Sequence, residues 1–268
     1  MVFCAGGIRP SHSVSPHYGK RVLTDPVGKK VVVITGASSG PGRTIALEFA
    51  LRGDDLVLAS RREHALNGLR RECDRMKART MSLVTDVFDP RSANALANAA
   101  LKKFGRVDIW INYAPPSPGP SDGTPSDPYA GSTEFLTSGY VNGANAAFTC
   151  LASSGGGVLV NVDSLVGGAA PGYAAVHAEA RRRIAATFAD IAVRAEQVPG
   201  VTVCQIQPTR ARIDPEALAP MVVSLAYAHC QTDTTGRLGA AFERMRFRLW
   251  ERTRINGGRD NRKPKKTV

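Results

Sequence analysis

The sequence predicts an α/β fold: one doubly wound domain built on a parallel sheet. Three observations carry that expectation. Short apolar runs rich in β-branched residues alternate with segments of helical spacing along most of the chain. The connections between them are short, as they are in a parallel sheet covered on both faces. A glycine-rich turn separates the first run from the first helix.

Each element follows from its residues. KVVVIT (30–35) is a β-branched run and predicts a strand. In residues 41–53, Ile45, Phe49 and Ala50 share one side of a helix, and Gly53 ends it. DLVLAS (55–60) is a second strand. Residues 62–78 predict a charged helix that turns Ala65, Leu66, Leu69 and Met76 inward. TMSLVT (80–85) predicts a strand, 90–104 an Ala-rich helix, and VDIWIN (107–112) a fourth strand. The Pro-rich stretch 114–133 cannot continue either pattern and predicts a surface loop. A helix over 134–152, the strand GVLVNV (157–162), a helix over 173–197, the strand VTVCQI (201–206) and a helix over 215–229 complete the series. Residues 1–28 lack periodicity and read as a loose arm. The domain therefore runs from 29 to 236, with a basic segment over 237–268.

Composition narrows the class. The chain has 268 residues, enough to bury one large core. It has no apolar run of bilayer-spanning length and no secretory leader pattern, so a cytoplasmic protein is expected. Five scattered cysteines with no C-x-x-C pair speak against a disulfide framework, and the five histidines show no metal-ligand spacing. The formal net charge is +12, but it is carried by the ends. Residues 1–30 hold five Lys or Arg and one Asp, and residues 237–268 hold eleven against three acids. Residues 31–236 balance at nineteen of each sign, so nucleic acid is not expected as the partner of the domain.

The turn TGASSGPG (35–42) follows a strand and opens a helix. Glycines at 36, 40 and 42 allow backbone to approach a pyrophosphate, and the helix start supplies free N–H groups. The spacing T-G-x-x-x-G-x-G resembles the fingerprint of the short-chain dehydrogenase/reductase family. Further landmarks stand in order: ASRR (59–62), TDV (85–87), INYAP (111–115) and YVN (140–142). The resemblance covers residues 29–225 and implies a Rossmann fold that binds a nicotinamide dinucleotide. It assigns Thr35, Gly36, Ser38, Ser39, Gly40 and Gly42 to the pyrophosphate turn, Asp86 and Val87 to the adenine, and Asn112, Ala114 and Pro208 to the remainder of the cofactor. Relatives that use NAD(H) usually carry an acid where Ser60 stands. Here Ser60 leaves room for a 2′-phosphate, and Arg61 offers charge-assisted donors, which points to NADP(H).

The resemblance also implies hydride exchange with a small carbonyl or alcohol substrate. In the family a Ser bonds the substrate oxygen, a Tyr moves the proton, a Lys four residues later holds the nicotinamide ribose, and a helical Asn completes the proton path. Ser164, after VNVD, fits the first role, and Asn142 fits the last. Thirteen residues past Ser164 stands His177, and four further stands Arg181; H-A-E-A-R occupies the place of Y-x-A-S-K. The other register uses Tyr173, only nine residues past Ser164. An imidazole can carry a proton at neutral pH without a helper cation, although it is shorter than a phenol and its acid form is a cation beside Arg181. Two functions follow: a reductase with a rewired site, or a nucleotide-binding relative without catalysis. A homo-oligomer is the expected assembly. The segment GAAFERMRFRLWERTR (239–254) sets Phe242, Met245, Leu249 and Trp250 roughly on one face among arginines, a pattern suited to a helix docked on its own domain or a second subunit, or to a membrane surface or a partner.

Overall fold

The structure is a computed structural model that describes residues 2–5, 28–38, 40–114, 132–163, 174–207 and 214–230. Its strands are β1 (Val2–Ala5), β2 (Val31–Thr35), β3 (Asp55–Ser60), β4 (Thr80–Val84), β5 (Ile109–Asn112), β6 (Gly157–Val162) and β7 (Val201–Ile206). Its helices are α1 (Gly40–Leu51), α2 (Glu63–Arg75), α3 (Pro90–Phe104), α4 (Thr133–Ser153), α5 (Ala174–Glu196) and α6 (Pro215–Cys230). The seven strands form one sheet in the order β1-β7-β6-β5-β2-β3-β4. Strands β2 to β7 are parallel, as the apolar runs require.

Alternate residues of each strand feed two separate cores. Val32, Ile34, Leu56, Leu58, Ile109 and Ile111 face α1, α2 and α6. Val31, Val33, Val57, Trp110, Leu159 and Val203 face α3, α4 and α5. Each fully buried Leu, Ile or Phe contributes about 1.5–3 kcal/mol by leaving water. Helix α2 buries Leu66, Leu69 and Cys73, so Cys73 takes the inward place read for Ala65, which is only half-buried. Helix α3 starts under an Asp89 cap, whose carboxylate accepts from Arg91 N and Ser92 N.

Within the loose arm expected over residues 1–28, Val2–Ala5 instead pairs antiparallel with β7, from Val2 opposite Ile206 to Ala5 opposite Val203. This four-residue strand closes the sheet edge beside β7. Four residues are too few to display the alternation by which a strand is read, which is why the sequence did not announce it. The basic segment 237–268 lies outside the described residues. Among those described, no helix is long and apolar enough to cross a membrane, and no group of His, Cys, Asp or Glu could hold a metal ion.

Candidate cofactor and catalytic site

Strand order reverses between β2 and β5, and ligands of doubly wound sheets bind outside the strand ends at such a point. The Gly-rich turn leaves β2 there, and Asn112, Tyr113 and Ala114 leave β5 beside it. The turn is tight. A Cβ on Gly36 would lie 2.2 Å from Tyr113 O, and one on Gly42 would lie 2.2 Å from Gly36 O. Gly36 also takes a φ of 65°, where side chains are strained. Gly40, at the start of α1, has nothing within 4 Å of an added Cβ. Two glycines are thus demanded by packing, and the third opens space at the helix N-terminus, where N–H groups can receive an anion.

A buried polar network fixes the two loops. Tyr113 N donates to Thr35 Oγ1 (3.0 Å), and Asn112 Nδ2 donates to Asn161 Oδ1 (2.8 Å) and Tyr140 O (3.0 Å). A Cβ on Gly143 would lie 2.2 Å from Asn112 Oδ1, so α4 passes close over this amide. The Tyr113 ring is buried against Gly36 and Gly42, and burial pushes its phenol up to about 12. It supports the turn, and its phenol stays protonated at neutral pH.

At the end of β3, the Ser60 hydroxyl is buried without a hydrogen-bond partner. A ligand or an ordered water at this point would complete its bonding. Arg62 Nε and Nη2 lie 3.3 and 3.2 Å from Ser38 Oγ, so this guanidinium bridges to the Gly-rich turn. Arg61 stacks over Phe88 at 5.4 Å, and Phe88 stacks on Phe135 at 4.8 Å. Asp86 Oδ1 accepts from Phe88 N. Asn142 Nδ2 donates to Val87 O and Phe88 O, at 3.1 and 3.0 Å, and pins this loop to α4.

Helix α5 brings His177 and Arg181 to one face at i, i+4 spacing. His177 is half-buried, and its Nδ1 is enclosed without a hydrogen-bond partner; Arg181 is exposed. Val176, Ala180 and Ile184 of α5 pack on Leu136 and Tyr140 of α4. The Tyr140 hydroxyl donates to Val162 O at 3.0 Å, at the end of β6. Ser39, Ser164, Tyr173 and Pro208 fall outside the described residues. Sequence reading missed Tyr113, Tyr140, Asn161 and the Arg62 bridge. Asn161 carried a signal, an amide inside an apolar strand, and Arg62 stood in the ASRR landmark; the two tyrosines gave no sign of these roles.

The fold and this geometry have counterparts. A family model described as short chain dehydrogenase matches residues 30–213. The chain belongs to the short chain dehydrogenase family. An 11-beta-hydroxysteroid dehydrogenase B of Arachis hypogaea is 45% identical over 92 residues, covering 34% of this chain and 26% of that protein. An uncharacterised oxidoreductase of Mycobacterium tuberculosis is 32% identical over 156 residues, covering 54% of this chain and 57% of that one. The chain thus matches between about a quarter and somewhat over half of the length of these relatives. A metagenomic short-chain oxidoreductase solved with NADP superposes with a TM-score of 0.63 at 23% identity, over 77% of this chain and 92% of that one. An alcohol dehydrogenase of Thermococcus sibiricus, solved with 5-hydroxy-NADP, gives 0.60 at 20% identity, over 74% and 90%. These two likenesses show the fold.

Proposed function

We propose that this short chain dehydrogenase is an NADP(H)-dependent oxidoreductase acting on a small carbonyl or alcohol. The observation that carries the reading is the adenosine end: an orphaned Ser60 hydroxyl, Arg62 reaching the Gly-rich turn and Arg61 beside it, with no acid at the end of β3. These residues fit a 2′-phosphorylated ribose, which needs donors and no like charge. NADP(H), when bound, supplies or accepts the hydride. The chain's own part is to bind and to manage a proton. Gly36, Gly40, Gly42 and the α1 N-terminus hold the pyrophosphate, with Ser38 and Ser39 lining the turn. Asp86 and Val87 flank the adenine, and Asn112, Ala114 and Pro208 lie along the remainder of the cofactor. Ser164 donates to the substrate oxygen, His177 delivers the proton, and Arg181 holds the nicotinamide ribose.

Fluorescence titration checks the cofactor. NADPH binds more tightly than NADH, and Arg62→Ala weakens NADPH by about tenfold or more while leaving NADH unchanged, as loss of a charge-assisted bond requires. Equal affinities in the wild type remove the preference. NADPH oxidation across a carbonyl panel checks catalysis. There His177→Ala lowers the rate by about a hundredfold or more; an unchanged rate dismisses His177 as proton donor. A second reading, nucleotide binding without turnover, is favoured by the partnerless Nδ1 of His177 and the exposure of Arg181. Tight NADPH binding with no oxidation across the panel would select it.

A further inference from the structure

Two of the five cysteines, far apart in sequence, meet at the edge of the sheet. The antiparallel register of β1 on β7 sets Cys4 directly opposite Cys204, between the pairs Phe3–Gln205 and Ala5–Val203. Residues directly opposed in an antiparallel ladder share one face of the sheet, with Cα atoms about 4.5–5.5 Å apart. A disulfide takes a Cα separation of about 4.4–6.8 Å. The backbone therefore holds this pair within bonding reach. On that face Cys204 is fully buried, in the core that also holds Val160, Ile206 and Leu218.

The other described cysteines are placed differently. Cys73 lies on α2, which packs on β3 and β4 toward the opposite edge of the sheet. Cys150 lies on α4, in the core on the other face. Burial pushes both of these thiols up to about 12, which leaves almost no thiolate for exchange. Cys230 closes α6 and lies against Asp108 O, before the start of β5. Strand β1, by contrast, has four residues and a single strand neighbour, β7. A short edge strand opens at a fraction of the cost of global unfolding. When it opens, a reagent can approach Cys204; when it pairs again, the two cysteines stand face to face. Helix α5, which carries His177 and Arg181, packs on both β7 and β1, so whatever fastens β1 also fastens the floor of that helix.

We infer that Cys4 and Cys204 form a disulfide modification site, a reversible latch that fastens β1 to β7 when the thiol pool is oxidised. The oxidant is a small-molecule disulfide of the glutathione class. While β1 is open, the thiolate of one cysteine attacks glutathione disulfide. A mixed S–S bond forms, the glutathione S–S bond breaks, and one glutathione thiolate leaves. Pairing of β1 then brings the thiolate of the second cysteine onto the mixed disulfide. The Cys4–Cys204 bond forms and the second glutathione thiolate leaves. The two cysteine protons pass to the two glutathione thiolates, and the two electrons lost by the protein are gained by glutathione disulfide. Opposed Cβ atoms of a ladder stand about 4.5–5.5 Å apart, wider than the 3.5–4.5 Å or so of a relaxed disulfide, and such a departure makes the bond easier to reduce. Excess reduced glutathione therefore opens the latch again.

The test equilibrates the full chain in glutathione buffers of rising disulfide content, quenches with acid, and alkylates the remaining thiols after unfolding. Peptide mass spectrometry then finds Cys4 linked to Cys204, with three of the five cysteines alkylated. Linkage raises the melting temperature by about 4 °C or more, because it closes a long loop. Reduced glutathione reverses both changes. Cys4→Ala and Cys204→Ala each keep their four remaining thiols and show no rise, whereas Cys230→Ala still links. In concentrated urea, which removes the register, the Cys4–Cys204 peptide is no commoner than other cysteine pairs. The linked peptide is read in the wild type, so the result does not depend on the folding of any variant. Absence of that peptide, equal yields of other cysteine pairs in the folded chain, linkage as frequent in urea as without it, or a melting temperature that linkage leaves unchanged would each overturn the inference.

Discussion

Tyr140 binds three elements with one side chain and its own carbonyl. The phenol donates to the end of β6, the ring packs on α5, and the carbonyl receives Asn112 from β5. Tyr140→Phe keeps the ring and removes the O–H. Its expected cost is about 0.5–1.5 kcal/mol in urea unfolding, the net worth of one buried hydrogen bond. Under the proposed function its effect on NADPH oxidation exceeds its effect on NADPH affinity, because β6 leads to Ser164 and α5 carries His177. Gly42→Ala is harsher, since backbone and not a flexible side chain stands 2.2 Å from the new Cβ. It is expected to lose NADPH binding in the fluorescence titration and to cost about 1–3 kcal/mol. Glycine, recognisable because it has no side chain, made this part of the site legible. The roles of Tyr113 and Tyr140 were not, because a tyrosine in an apolar pattern gives no sign of where its hydroxyl points. Arg61 and Arg62 were legible as a pair, but only the fold shows that Arg62 reaches Ser38 while Arg61 lies on Phe88.

Helices α1 and α6 meet over a buried carboxylate. The Tyr227 hydroxyl donates to Asp54 Oδ2 at 2.5 Å, the Tyr227 ring stacks on Phe49, and Arg52 lies over it. Burial raises the Asp54 carboxyl above its ordinary value, and the bond from Tyr227 opposes that rise. A carboxyl raised in the folded state favours folding when protonated, so its contribution fades as pH rises through the folded value. Tyr227→Phe removes the opposing bond and raises Asp54 further. The variant is expected to lose about 1–3 kcal/mol at neutral pH, and the deficit shrinks as pH falls toward the acid range. Urea midpoints across that range check it; a deficit that grows on acidification contradicts the assignment. Asp55 behaves oppositely, because its bond to Arg79 lowers its carboxyl, and its stabilisation is lost as pH falls through the folded value. At this scale the sequence was informative. The strands at 55–60, 157–162 and 201–206 and the helix at 90–104 have the expected bounds, because long runs bounded by turns leave little freedom.

Charge shows why whole-molecule properties resist a linear reading. Residues 31–236 balance in sign, yet the fold buries Asp54, Asp55 and Asp108 at the end where the parallel strands start and leaves Lys77, Lys102 and Lys103 exposed there. A segment can be neutral while one of its faces is not. The sheet edge gives a further whole-molecule prediction. Deleting residues 1–5 uncovers the backbone of β7, so the melting temperature is expected to fall by about 2–8 °C and light scattering on heating to rise. An unchanged melt would mean that β1 adds nothing to the sheet. The same pairing has a consequence in time. Cys4 stands opposite Cys204, so β1 must wait for about 200 further residues before its partner exists. At ribosomal speeds of about 5–20 residues per second, that wait is about 10–40 s. During it β1 has no place in the growing sheet, and this edge of the sheet closes only once β7 has been made.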